Sequence, residues 1–261
     1  MTFSLDHVVI AVSDLAAATG DYRKLGFTVV EGGEHPGRGS HNALVVFADG
    51  AYFELIAFQR PDPEFRWWRV LQAAGPGFVD FALLPNAIEA DVEAAQLRGL
   101  DIETPVPGGR ATPQGDHLAW KTARSPKSDV PFLCGDITPR KLRVPEGAVR
   151  EHANGAVGVS ALTIAVRNLR ESADRTAALL GVQAPGSQTV PGLGLNLAIF
   201  EIGATRLVLA AATESGGPIH RHLEARGEGP FAVSLRRAAG RQRASLDPAL
   251  THRAHLEFVD A

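Results

Sequence analysis

Cysteine is almost missing from this chain, since Cys134 stands alone, and that excludes an internal disulfide framework. Long apolar runs are missing as well. None approaches the roughly 20 residues that a bilayer-crossing helix needs. The opening Met-Thr-Phe-Ser-Leu-Asp has neither the basic n-region nor the apolar stretch of a secretion signal. The expectation is a protein with no membrane partner, located in a reducing cytoplasm. Charge of one sign is also scarce: the formal net charge is -3, so nothing selects nucleic acid or another polyanion. The chain further lacks a P-loop, a Gly-x-Ser-x-Gly elbow and a dinucleotide fingerprint, which argues against the common kinase, hydrolase and dehydrogenase chemistries.

What is present is an ordinary globular composition, 45% hydrophobic and 21% charged over 261 residues, room for one large or two modest domains. It is also repetitive. Residues 5 to 15, Leu-Asp-His-Val-Val-Ile-Ala-Val-Ser-Asp-Leu, align without a gap on residues 159 to 169, Val-Ser-Ala-Leu-Thr-Ile-Ala-Val-Arg-Asn-Leu. Each is β-rich and ends in an Asp or Asn able to cap a helix. The helices expected next, Ala16 to Leu25 and Arg170 to Leu180, stop at Gly26 and Gly181, where glycine can take the left-handed conformation. Further on, Gly-Ala-Tyr-Phe-Glu-Leu-Ile-Ala (50 to 57) aligns on Gly-Ala-Thr-Arg-Leu-Val-Leu-Ala (203 to 210).

A more divergent copy begins at Phe78, with a helix near Ala87 to Arg98 and strands around 101 to 103, 117 to 122 and 130 to 134. A fourth copy is abbreviated, with strands at Phe231 to Leu235 and His255 to Val259 and no clear helix between them. The Arg/Lys/Pro-rich piece Pro139 to Gly155 suits a linker by composition. The reading is α+β: tandem βαβββ modules, starting near residues 5, 78, 159 and 231, that form two barrel-like units with the last module truncated. Residues 1–140 are expected to form the unit with the ligand site, and 155–261 a degenerate second unit.

One strand, a helix and three strands per module leave helices on one face of a curved sheet, so the other face must meet a partner or enclose a ligand. This pattern resembles the vicinal-oxygen-chelate superfamily, and within it the glyoxalase-like domain. The motifs that carry the resemblance are Leu5-Asp6-His7-Val8-Val9-Ile10-Ala11-Val12, His35 to Asn42, Tyr52-Phe53-Glu54-Leu55, Arg110 to Trp120 and Pro131-Phe132. It covers residues 5 to 137 well and the remainder more loosely.

Strand alternation puts His7 on one face with Val9 and Ala11, and Glu54 on one face with Tyr52 and Ile56. The resemblance implies that these two positions carry metal ligands, and imidazole with carboxylate suits Zn, Fe, Ni or Mn. The same pair could instead be a satisfied buried hydrogen bond. A complete superfamily site takes a second pair from the partner module. There the first-strand position falls at Val79 or Asp80 and the last-strand position near Cys134 or Gly135. Module three offers Ala161 and Leu207. The ligand set is thus incomplete, and extradiol dioxygenase activity is not expected.

Other candidates cluster in the first half. His41 and Asn42 follow a Gly-rich turn, and Arg110 precedes His117 and Trp120. A guanidinium offers a planar fork to a carboxylate or carbonyl, and an indole offers a flat wall; a structural ion pair is the alternative for Arg110. Trp67 and Trp68 are expected to pack between modules, and Cys134 to be a small buried apolar group. The expected function is a glyoxalase-like protein binding a small organic molecule with carbonyl or vicinal oxygens, as a lyase or isomerase. Glu54 and His7 would be catalytic or metal-ligating, and Arg110, His41, Asn42, His117 and Trp120 substrate-binding. Two alternatives stay open: sequestration of a small molecule without conversion, and a catalytically retired scaffold. A homodimer is an option for assembly.

Overall fold

A computed structural model describes residues 3–35, 37–111, 115, 117–237 and 244–259. Module one runs β1 (Ser4–Ala11), α1 (Leu15–Lys24), β2 (Val30–His35), β3 (Ser40–Val46) and β4 (Tyr52–Phe58). A bridging helix α2 (Arg66–Ala74) leads to module two: β5 (Gly77–Leu84), α3 (Ile88–Leu97), β6 (Val106–Ala111), β7 (His117–Ala123) and β8 (Phe132–Asp136). After a short α4 (Arg140–Arg143), module three follows as β9 (Ala156–Ala165), α5 (Leu169–Leu180), β10 (Gln188–Val190), β11 (Leu195–Ile202) and β12 (Thr205–Ala212). A second bridging helix α6 (Pro218–Arg226) precedes β13 (Gly229–Arg237), β14 (Ala244–Ser245) and β15 (His255–Val259). Residues 238–243, where loss of the fourth module's helix was expected, lie outside the described residues.

The helix ends obey local rules. Asp14 and Asn168 accept from the backbone N–H groups of Ala17 and Glu171, satisfying donors that a first turn leaves open. Gly181 closes α5 at φ 68, a conformation that costs glycine little. One strand falls elsewhere than expected. Residues 101–103 are not a strand, and the pairing begins at Val106; β6 is an edge strand, where Pro107 loses no ladder bond.

Modules one and two share a sheet of order β2-β3-β4-β1-β5-β8-β7-β6, and modules three and four one of order β10-β11-β12-β9-β13-β15-β14. In both, the first strand pairs in parallel with the module's last strand and antiparallel with the next module's first strand. The first sheet curls nearly into a barrel: the Arg110 guanidinium donates to the Gly32 carbonyl, so β6 reaches β2. The second ends in strands of three and two residues, of which only the two-residue β14 belongs to the last module.

Alternation sorts the side chains. Val8 and Ile10 of β1, Phe53 and Leu55 of β4, and Leu162 and Ile164 of β9 turn outward into one core with the helices α1, α3 and α5. Val9, Ala11 and Ile56 turn inward, where Trp67 and Leu71 of α2 cap the barrel. Trp67 therefore closes the cup rather than simply joining modules. The presumed linker plugs the opposite end: Val144 is buried with Leu44, Val46 and Tyr52. Arg98 donates to the Ala178 and Leu179 carbonyls at the end of α5, and Arg226 to those of Ala74, Gly75 and Pro76. These contacts lock the two halves together. No helix among the described residues is long and apolar enough to cross a membrane.

Candidate active site in the first barrel

The barrel of modules one and two encloses a cavity of about 230 Å³, lined among others by His7, His35, Asn42, Glu54, Arg110 and Trp120. His7 and Glu54 come together as strand alternation requires: His7 Nε2 lies 3.5 Å from Glu54 Oε2. The Asn42 amide donates to Glu54 Oε1 at 2.6 Å, and His35 Nε2 lies 3.7 Å from the same oxygen. Burial lowers the pKa of His35 despite the nearby Glu54 charge, which keeps this ring neutral at pH 7. Two glycines allow the close approach. A Cβ on Gly32 would fall 2.0 Å from Asn42 Oδ1, and one on Gly108 would fall 2.7 Å from Trp120 Nε1.

His7 is held on several sides. Its ring stacks on Tyr52 at 4.7 Å and meets the Phe132 edge at 5.3 Å. Nδ1 lies 2.6 Å from Asp6 Oδ2, which fixes Nδ1 as the protonated nitrogen and leaves Nε2 facing Glu54. Simple alternation would send Asp6 away from His7, but the β1–β5 register slips between Leu5 and His7. A bulge of this kind re-aims a side chain, and Asp6 turns to the barrel floor. There Arg143 grips it with two N–H groups at 2.8 and 3.1 Å, and Arg140 with one at 2.5 Å. Burial would raise the Asp6 carboxyl, but Arg143, His7 and Arg140 outweigh it and hold the pKa well below the usual range.

His41 and His117 are not brought to the cavity. His41 alternates with Ser40 and Asn42, which line it, and His117 is an exposed residue of β7, three positions from the lining Trp120. On a strand, an odd step reverses the face. Sequence reasoning missed His35, Asp6 and Arg143. Asp80, one of the two positions weighed for a first-strand ligand of the partner module, instead accepts from Trp67 Nε1 at 2.7 Å and pairs with Arg66 and Arg124 at 3.0 Å. Cys134 lines the cavity as expected of a small apolar group, because burial pushes its thiol up to about 12.

The donor set does not suit a resident divalent ion. Among the described residues no group of three His, Cys, Asp or Glu side chains is arranged to hold one. The partner module explains why. Ala82 lies opposite Phe132 as Val9 lies opposite Glu54, which puts Asp80 at the place of His7 and Phe132, not Cys134, at that of Glu54. Asp80 is consumed by its two arginines and Trp67. Module three is shifted by one residue from the sequence alignment. Val208, not Leu207, matches Glu54, because Leu207 turns outward with Phe53. The hairpin before it is one residue shorter than its counterpart, with Ile202 facing Thr205 where Phe47 faces Ala51 across residues 48–50.

A family profile described as a glyoxalase-like domain matches residues 5–180. The chain belongs to this glyoxalase-like family. A hypothetical protein from Staphylococcus aureus superposes with a TM-score of 0.74 at 13% identity, over 99% of this chain and 100% of that one. A substituted variant of 4-hydroxymandelate synthase from Streptomyces coelicolor superposes with a TM-score of 0.65 at 15% identity, over 90% of this chain and 71% of that one. At such identities the likeness shows the glyoxalase-like fold alone. A comparison with curated proteins finds no match.

Proposed function

We propose that this glyoxalase-like protein binds a small organic molecule bearing a carbonyl or vicinal oxygens in the first barrel and moves a proton on it, as an isomerase or lyase. Residues 1–140 are the working unit and 155–261 its support, in a cytoplasmic protein. The observation that carries the reading is a buried carboxylate, Glu54, bracketed by His7 at 3.5 Å and Asn42 at 2.6 Å in a cavity that Tyr52, Trp120 and Phe132 also line. Glu54 takes a proton from the carbon beside the carbonyl, and the electron pair left behind delocalises onto the carbonyl oxygen. Arg110, lining the same wall, stabilises that oxygen as charge develops. Return of that proton from Glu54 to the former carbonyl carbon, with the hydroxyl proton of the vicinal oxygen passing to the oxygen that carried the charge, completes an isomerisation. Departure of a group from the next carbon with the proton that Glu54 holds completes a lyase reaction. His7 exchanges the proton with Glu54, its ring kept in register by Asp6. Such positioned acid–base groups contribute about 10²–10⁴-fold.

The test is deuterium exchange at the acidic carbon of a panel of small carbonyl compounds, followed by NMR in D2O. The wild-type protein should accelerate exchange for at least one compound, and Glu54→Gln should lose at least about 100-fold. Binding without any acceleration would favour sequestration, a role that needs the cavity but no acid–base pair.

A further inference from the structure

We propose that the ligand is an aromatic carboxylate, its ring against the aromatic wall of the cavity and its carboxylate between Arg38 and Arg124 at the mouth. The inference rests on the reading that the first-barrel cavity is the ligand site, and it adds the chemical class. The first argument is charge. The cavity lining holds four guanidinium groups, Arg38, Arg110, Arg124 and Arg143, against one carboxylate, Glu54. Arg143 is answered below the floor by Asp6 and Asp136, and Arg110 lies in the field of Glu54. The mouth is left positive. Asp80 is shared there by Arg66 and Arg124, one negative charge for two positive ones. Arg38 forms no ion pair among the described residues. Burial and then the repulsion of Arg124 both draw its pKa down, with Asp62 acting weakly the other way. The chain as a whole is negative, at -3, so the positive mouth is local. An anion placed between two guanidiniums relieves their repulsion and gains charge-assisted hydrogen bonds.

The second argument is shape. Arg38 lies 4.3 Å over the Phe65 ring, and Arg124 lies 3.9 Å over Phe132 and 5.1 Å over Trp67. A stacked guanidinium is held flat while its N–H edge stays available to an in-plane carboxylate. Trp120 forms the facing wall, in the space that a side chain at position 108 would fill. The wall therefore favours a flat ring. The 230 Å³ cavity has room for one ring with a short acidic arm.

Two of the chain's three tryptophans, Trp67 and Trp120, line the cavity, so fluorescence titration of the full chain reads binding directly. The probes are cinnamate, its neutral amide cinnamamide, and hexanoate. Cinnamate should bind at least about tenfold more tightly than either, since a charge-assisted contact and a stacked ring are each worth about that factor. Arg38→Gln changes an exposed side chain outside the acid–base pair. It should weaken cinnamate about tenfold, leave cinnamamide within about threefold, and reduce the salt dependence of cinnamate binding. Glu54→Gln should keep the preference for the acid. Equal binding of acid and amide, equal loss of both in Arg38→Gln, hexanoate matching cinnamate, or no binding of cinnamate would each overturn the proposal. The proton-transfer reading fails separately, if no compound of the carbonyl panel exchanges deuterium faster with the protein.

Discussion

Replacing Asp6 by Asn tests the barrel floor, where an ion network, a linker and the candidate acid–base pair meet. Asp6 is fully buried, and the change removes its charge while keeping its size. Losing one member of a buried ion pair costs about 3–5 kcal/mol, mainly because the other is left uncompensated. Here the compensation survives in part. Asp136 still holds Arg143 Nε at 2.6 Å and Arg140 Nη1 at 3.1 Å, so neither cation is stranded and the loss should fall near 3 kcal/mol. Urea unfolding of both proteins, with unchanged slope, measures it. The pH dependence has a fixed sign. The Asp6 pKa is lowered in the folded state, so its contribution is complete above the unfolded carboxyl value of about 3.9 and is lost as pH falls through the folded value. The gap between the two proteins should be constant from about pH 5 to 8 and shrink in stronger acid. A loss below about 1 kcal/mol, or a gap that widens on acidification, would refute this account of the floor.

Other consequences can be checked alongside. Gly108→Ala should push Trp120 from its seat and cost about 1–3 kcal/mol by overpacking, with weaker ligand quenching; unchanged quenching would show that Trp120 is not a wall. Cys134 should react with a thiol reagent far more slowly than a free thiol at about pH 8, because burial raises its pKa to about 12 and the thiolate is the reactive form. His41→Ala and His117→Ala should leave ligand affinity within about twofold, well under the cost of a lost charge-assisted contact, since both stand off the cavity. Val208→Ala, in the second half, should lower stability and spare ligand binding.

The repeat, the helix caps and the inward pair His7 and Glu54 were legible because each depends on chemistry within a short window: alternation along a strand, a capping side chain, a glycine stop. What the sequence hid depends on distant partners or on register. A bulge that only β5 reveals sends Asp6 to the same side as His7. Val208 replaces Leu207 because a hairpin loop lost one residue, and a one-residue slip reverses every face. His41 and His117 were grouped with the site by proximity along the chain, yet their strands turn them away from it. Arg143 sat in a stretch whose composition reads as linker, and only packing shows that Val144 and Arg143 close the barrel floor.

The most direct measurement is a crystal structure of the full chain soaked with small carbonyl compounds and aromatic acids. The account predicts a ligand in the first barrel, with a carbon atom within reach of the Glu54 carboxylate and oxygen atoms on Arg110 or at the Arg38 and Arg124 mouth. A ligand seated on the concave face of the second sheet, with the first cavity empty, would contradict it.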